Sequence, residues 1–317
     1  MWFRISVLLN LLPRLPFLQS PAMADGGTWT VRRVLEWTAG FFGRKSVDQP
    51  RLAAELLLAH VLDCPRIKLY TDYERPLSEK QLADYRQLVQ RAAEDEPIAY
   101  LTGKAHFFNL EFAVTRDVLI PRPDTETLVE NVLQQVRHEA GLEAPRVLDL
   151  CTGSGCIACA IAAHLKGSTV AATEISPAAV QIAKQNVERL ALSERVTVLE
   201  GDLFDPLANL LDPRPFDIIV SNPPYIPSGQ IAQLDRSVKD YEPIGALDGG
   251  LDGLTFHRRI LSQVPPRLRQ GGRIYLEIAF DQGEAAMAVA AEHDQFEEPR
   301  LLKDFGGRDR VLTARKR

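Results

Sequence analysis

An α/β fold, with a doubly wound and mostly parallel sheet preceded by a small N-terminal helical bundle, is the class this chain predicts. Two observations carry the prediction. From about residue 145 onward short apolar runs alternate with helical patterns: "RVLDL", "GCIACAIAAHL", "TVAATE", "SPAAVQIAKQNVERL", "VTVLE" and "FDIIV". Short apolar strands separated by helices specify parallel pairing with both sheet faces covered. Between about Thr28 and Asp95 the periodicity is helical throughout, which places a separate bundle ahead of the sheet.

The elements follow in chain order. "VRRVLEWTAGFF" and "PRLAAELLLAHVL" carry apolar residues at three- and four-residue spacing, and the second opens on a proline suited to a first turn. "SEKQLADYRQLVQRAAED" places Ser78 and Gln81 at the spacing of a capping box. "KAHFFNLEFAV" predicts a β-hairpin turning near Asn109, and "LIPRPDTETLVENVLQQV" leads into a long helix from about Asp124. After "FDIIV" come a helix over about 254–268, the strand "GGRIYLEIA", the helix "QGEAAMAVAAEH" and a final strand pair. The expected domains are 28–100, helical; 101–122, a hairpin linker; and 123–317, the sheet domain.

The first 22 residues, "MWFRISVLLNLLPRLPFLQSPA", are apolar with two arginines and no acid. Pro13 and Pro16 interrupt the run, which is far too short to span a bilayer. Residues 1–27 read as a disordered or mis-called N-terminal extension. The whole chain has 317 residues, 45% hydrophobic and 25% charged, as an ordinary soluble globular protein does. A net charge of -5 gives no global positive field for nucleic acid. Cys64, Cys151, Cys156 and Cys159 are too few for a disulfide framework. Cys156 and Cys159 form a C-x-x-C inside a small-residue helix, with no second ligand pair spaced for zinc. They read as buried packing residues, and no metal is expected.

The end of the first parallel strand carries "DLCTGSGC", where Gly153 and Gly155 let backbone approach a ligand at a helix start. The G-x-G-x-x-G fingerprint is incomplete, since Ala158 stands where its last glycine would be. Glu174 ends the next strand, placed to take a ribose hydroxyl pair. "EGDLF" ends the third, with Asp202 for an adenine amino group and Leu203 as an apolar surface for the ring. No basic residue and no P-loop pattern stand ready for a phosphate, and Asp149 at the loop's base suits a positive group. S-adenosylmethionine, with adenosine, sulfonium and ammonium but no phosphate, is the cofactor these residues fit.

The fourth parallel strand delivers "NPPY", Asn222 to Tyr225, to the same edge. A planar nitrogen conjugated to a π-system is a poor nucleophile. The Asn222 side-chain carbonyl and the Pro223 backbone carbonyl can each accept one of its hydrogens, holding it and stabilising the charge that grows on it. Pro223 and Pro224 stiffen the loop, and Tyr225 offers a flat face to the planar group. No metal or base is required.

With the loop and "NPPY" in place, the chain resembles the amino methyltransferases that act on adenine, cytosine or protein glutamine. "EPIAYLTGKAHFFNLEF", "VLIPRPDTETLVE", "VLDLCTGSGCIA", "GDLF", "SNPPYIP", "YEPIGALDGGLDGL", "LEIAFDQG" and "DFGGRDRVL" are together similar to the bacterial HemK/PrmC protein-(glutamine-N(5)) methyltransferases. The resemblance runs from about residue 28 to the C-terminus. It implies a Rossmann-like, class I S-adenosylmethionine-dependent fold. It also implies methylation of the glutamine in the Gly-Gly-Gln motif of class I peptide chain release factors, with the helical domain helping to dock the factor. It places the methionine portion of the cofactor on Cys151, Thr152, Gly153, Ser154 and Gly155. Ribose falls on Glu174, adenine on Asp202 and Leu203, and the substrate amide on Asn222, Pro223, Pro224 and Tyr225, with Asn222 also beside the cofactor. The family usually has Asp where Glu174 stands and often an aromatic residue where Leu203 stands. Arg122 and Glu126 in "PRPDTE" are expected as surface or gate residues. A cytoplasmic monomer that contacts neither membrane nor DNA completes the expectation. The rival enzyme, an adenine-N(6) nucleic-acid methyltransferase, needs a basic channel and base flipping, which the acidic composition argues against.

Overall fold

The computed structural model describes residues 28–210 and 212–317, so the expected N-terminal extension lies outside the described residues. The chain forms two compact units that divide between Thr102 and Gly103.

The first unit is helical: α1 (Val31–Arg44), α2 (Pro50–Val61), α3 (Arg66–Thr71), α4 (Glu79–Ala92) and α5 (Ile98–Thr102). Thr30 caps α1 by accepting from the Arg33 N–H, and Pro50 occupies the first turn of α2. The capping box of α4 forms in full, Gln81 N–H donating to Ser78 Oγ at 3.3 Å and Ser78 N–H to Gln81 Oε1 at 3.0 Å. Val34, Leu35, Phe42, Leu57, Leu58 and Val89 interlock in its core. The buried Tyr85 hydroxyl in that core is satisfied by the Ala54 carbonyl at 3.1 Å. The short helices α3 and α5 carry too few residues for a periodic pattern to single them out.

The second unit begins with the hairpin β1 (Lys104–Phe107) and β2 (Leu110–Ala113), whose turn residues Phe108 and Asn109 both have positive φ. Phe107 and Phe112 join the core of this unit, so the hairpin is part of its body. Then come α6 (Glu126–His138), β3 (Arg146–Leu150), α7 (Cys156–His164), β4 (Thr169–Glu174), α8 (Pro177–Arg189), β5 (Val196–Glu200) and β6 (Phe216–Ser221). The chain ends with α9 (Arg236–Lys239), α10 (Thr255–Gln263), β7 (Leu268–Glu277), α11 (Gly283–Ala291), β8 (Phe296–Lys303) and β9 (Asp309–Lys316). The seven main strands lie in the order β5-β4-β3-β6-β7-β9-β8, parallel from β5 through β7, with β9 antiparallel to both its neighbours.

Alternation along the strands sorts the core into two layers. Val147, Val170, Ala172, Ile218, Val220 and Tyr275 pack with α6, α7 and α8. Leu148, Leu150, Ile219, Ile274, Leu276 and Ile278 pack with α10 and α11 on the other face. The expected helix over 254–268 is shorter: α10 stops at Gln263, because Pro265 and Pro266 lack the N–H that would continue it. Strand β7 accordingly starts at Leu268, before "GGRIYLEIA", and an irregularity in its pairing with β6 holds Gly271 at φ +73°. Successive strands run outward from β3 to β5, then β6 returns to the other side of β3. That reversal opens a crevice at the carboxyl ends of β3 and β6. Among the described residues no helix is long and apolar enough to cross a membrane.

Candidate active site

A cavity of about 410 Å³ occupies this crevice, within the usual range for small-ligand sites. Cys151, Thr152, Gly153 and Ser154 line it from the loop after β3. Cys151, Gly153 and Gly155 all have positive φ, 57°, 54° and 79°, a winding that glycine adopts without strain. Thr152 N–H donates to the Thr173 carbonyl at 3.0 Å, tying the loop to β4. Asn186 on α8, fully buried, braces it from behind, donating to Ser154 O at 2.9 Å and exchanging hydrogen bonds with the backbone of Ala113. Nothing in the helical pattern of α8 distinguishes that asparagine from a solvated one.

Glu174 ends β4 with each carboxylate oxygen on a backbone N–H, Oε2 on Gly153 at 2.9 Å and Oε1 on Ser176 at 3.0 Å. Its two oxygens are therefore fixed side by side at the cavity wall. Asp202, in the turn after β5, is held by Arg259 from α10 at 2.6 Å through Oδ2. Leu203 is buried there at φ 45°. Ile175, Leu203 and Phe256 provide apolar wall, so Phe256 supplies an aromatic ring from α10 where Leu203 supplies none. The arginines that line the cavity, Arg122 and Arg259, are both paired, with Glu242 and Asp202. With Asp117, Glu174 and Asp202 also in the wall, the lining suits a phosphate-free ligand of positive charge. The donor and acceptor set thus fits S-adenosylmethionine.

Asp149 does not face this cavity. It shares the sheet face of Val147, lies fully buried under α7, and accepts through Oδ2 from Thr152 Oγ1 at 2.5 Å and Ala158 N–H at 3.2 Å. Burial pushes its carboxyl up to about 7. Its work is to brace the loop, and the expectation that it meets a positive ligand group is corrected. Cys156 and Cys159 are buried in α7, and burial raises both thiols, Cys156 to about 12.

Asn222 and Pro224 line the cavity at the end of β6, whereas Gly155, Pro223 and Tyr225 do not. Asn222 donates through Nδ2 to Thr125 Oγ1 at 3.1 Å. The Tyr225 hydroxyl donates to Glu277 Oε1 at 3.2 Å, and its carbonyl accepts from Gln282 Nε2 at 2.8 Å. The loop 247–254 closes over this segment, Ile226 N–H to Leu247 O and Gly249 N–H to Ile226 O. A Cβ on Gly249 would fall 2.7 Å from Tyr225 Cα, and one on Gly253 2.2 Å from Tyr225 O, which explains those two glycines of "DGGLDG". Arg122 lines the cavity while pairing with buried Glu242. Glu126 is not a gate residue: its Oε1 accepts the Phe108 N–H at 2.8 Å and anchors the hairpin turn.

Comparison with known proteins identifies the family. Residues 33–103 match the family model described as PrmC N-terminal domain, and residues 123–236 match the one described as Methyltransferase small domain. A release factor glutamine methyltransferase of Rhodopirellula baltica is 42% identical over 91% of this chain and 97% of its own. One of Geobacter sulfurreducens is 42% identical over 90% of this chain and 97% of its own. Among solved structures, the hMettl16 catalytic domain in complex with a MAT2A 3'UTR hairpin superposes with a TM-score of 0.51 at 20% identity, covering 64% of this chain and 74% of that one, a likeness of fold alone. Shared sequence over nearly the full length of both chains, with this fold beneath it, makes the chain a member of the release factor glutamine methyltransferase family.

Proposed function

We propose that this enzyme methylates the side-chain amide nitrogen of the glutamine in the Gly-Gly-Gln motif of class I peptide chain release factors. The observation that carries the reading is Asn222, in the wall of a cavity whose arginines are both paired, with an amide N–H already committed to Thr125. Its carbonyl is thereby left as an acceptor for the substrate. When bound, S-adenosylmethionine supplies an electrophilic sulfonium methyl group.

Glu174 accepts the ribose hydroxyls on oxygens held in place by Gly153 and Ser176. Asp202, its Oδ2 on Arg259, keeps Oδ1 for the adenine amino group. Cys151 to Ser154 hold the methionine end. Asn222 Oδ1 and Pro223 O each accept one amide hydrogen of the substrate, aim its nitrogen, and stabilise the positive charge that develops as the N–C bond forms. The nitrogen sheds a proton after transfer, so the chain need supply no base beforehand. Tyr225 is held by Glu277 and Gln282, which fixes the ring against the substrate loop. The helical unit, 28–100, contributes to docking the factor. Incubation with purified release factor and labelled S-adenosylmethionine, followed by peptide mapping, tests the assignment. Label on the Gly-Gly-Gln glutamine is expected, and label on nucleic acid with none on that residue would overturn it.

A further inference from the structure

Behind the NPPY segment stands a carboxylate whose only part so far is to hold Tyr225. Glu277, the last residue of β7, is fully buried. Its Oε1 accepts from Tyr225, while Oε2 has no hydrogen-bond partner. An unpartnered buried oxygen of this kind calls for an explanation. One neighbour supplies it. Thr125, 2% exposed, accepts from Asn222 Nδ2, and a hydroxyl that has accepted still has one proton to give. The Thr125 hydroxyl lies beside Glu277 and favours its ionised form.

We propose that Glu277 is a positioning residue for methyl transfer, setting through Thr125 which way the Asn222 amide faces and holding Tyr225 directly. Hydrogen-bond polarity links the two residues. An ionised carboxylate can only accept, so Thr125 donates to it and must accept from Asn222. Asn222 then presents Nδ2 inward and Oδ1 outward. Without the carboxylate, Thr125 is free to donate to Oδ1 instead, the amide turns over, and Nδ2 meets the substrate nitrogen donor to donor. The proposal rests on the reading that Asn222 accepts a hydrogen of the reacting amide.

The surroundings set the condition under which the relay operates. Arg310 on β9, buried and paired with Asp124 at 2.9 Å and Asp304 at 3.4 Å, favours the carboxylate. Burial and the Asp124 charge oppose it, and the carboxyl is pushed up to about 7. His257 on α10 meets Glu277 only at its backbone carbonyl, 2.8 Å away. Arg122 faces Tyr225 and is already paired with Glu242. The ionised form, and with it the outward Oδ1, is therefore gained as pH rises through about 7.

Steady-state methylation of release factor by the full chain between pH 6 and 9 gives the first readout. Glu277→Gln accepts from Tyr225 or Thr125 but not both. It should lower kcat about tenfold, the cost of one hydrogen bond to a charged group. KM for the factor and cofactor affinity by calorimetry should stay near wild type, and the acid limb should disappear. Thr125→Val should match it, Thr125→Ser should restore activity, and the double variant Glu277→Gln/Thr125→Val should be no worse than either alone. The side-chain ¹⁵N resonance of Asn222, assigned by its loss in Asn222→Ala, gives a second readout that needs no substrate. It should titrate near pH 7 in wild type and be flat in Glu277→Gln. An inactive wild type with this titration intact would count against the substrate assignment and leave the relay standing. Additive losses in the double variant, a folded Glu277→Gln with wild-type kcat, or an Asn222 resonance indifferent to pH would each overturn the relay.

Discussion

Replacing Glu174 with alanine is the most discriminating test of the cofactor assignment, because the structure shows how much that side chain holds. Each carboxylate oxygen already takes a backbone N–H, from Gly153 and Ser176, and keeps lone pairs for a ribose hydroxyl. A hydrogen bond to a charged group is worth about 1.5–3 kcal/mol, and the half-buried setting of Glu174 favours the lower figure. Two such bonds make about 3 kcal/mol, or about a hundredfold in affinity. Glu174→Gln should lose nearly as much. Its amide nitrogen must face either the Gly153 or the Ser176 N–H, donor against donor, so one brace of the loop is lost along with the charge. Glu174→Asp should fall between, because the shorter side chain cannot reach all its partners at once. The assay is calorimetric titration of each variant with S-adenosylmethionine, with thermal unfolding as the control for folding. An alanine variant that binds within about twofold of wild type would remove Glu174 from the ribose site.

Three further outcomes follow from the same geometry. Asn222→Ala should lower kcat about 10²–10³-fold, as loss of one preorganised polar group at a reacting centre does, while S-adenosylmethionine affinity changes far less; single-turnover kinetics and calorimetry separate the two. Tyr225→Phe, which a ring-only role would make mild, should instead cost about 1–3 kcal/mol of stability, since it takes the donor from Oε1 of buried Glu277; chemical denaturation measures it. Stability should also fall as pH rises from about 4.5 to 7. Asp149 and Glu277, both raised to about 7, hold protons in the fold that the unfolded chain releases, whereas His257, lowered to about 4, works the other way up to its ordinary value of 6.5. Two carboxyls against one imidazole leave a net loss of about 1 kcal/mol per pH unit below 6.5, and Asp149→Asn should flatten that stretch; urea midpoints between pH 5 and 8 report it.

The sequence makes some parts of this molecule legible and hides others for identifiable reasons. Strand and helix alternation predicts the parallel sheet because each strand is buried on both faces and must read as an apolar run. The capping box at Ser78 and the turn at Asn109 are equally local, and both form where expected. The apolar spacing overshoots the end of α10, although Pro265 and Pro266 mark it, because it runs on past them into β7. Site residues at strand ends, namely the Cys151–Ser154 loop, Glu174, Asp202, Leu203 and Asn222, meet at one cavity, because strand order alone brings those ends together. Arg259 and Phe256 carry no such signal, since α10 reaches the cavity only through the tertiary fold.

Burial beneath the helices explains the misreading of Asp149, keeps Glu277 out of a reading by sequence, and shows what the two carboxylates do. Asp149 is two residues from Val147, and Glu277 two from Tyr275, so both point to the face that α6 and α7 cover. A carboxylate near a strand end reads as a ligand group only if it stands clear of the covering helices: Asp149 pairs with Ala172, two residues short of Glu174, which shares its face and reaches the cavity. These two go under the helices, where burial raises both to about 7. Each then acts on a residue that does reach the cavity: Asp149 on Thr152 of the cofactor loop, and Glu277 on Tyr225 directly and, as proposed, on Asn222 through Thr125. Cofactor loop and NPPY segment are thus backed by the same device, a buried acceptor whose ionisation costs stability and whose polarity orders the donors above it. Removing that cost with an apolar residue should yield a more stable fold only where nothing above needs its proton directed. At these two positions the hydroxyls of Thr152 and Tyr225 would be left buried without an acceptor, so Asp149→Leu and Glu277→Leu should lose both stability and order at the site.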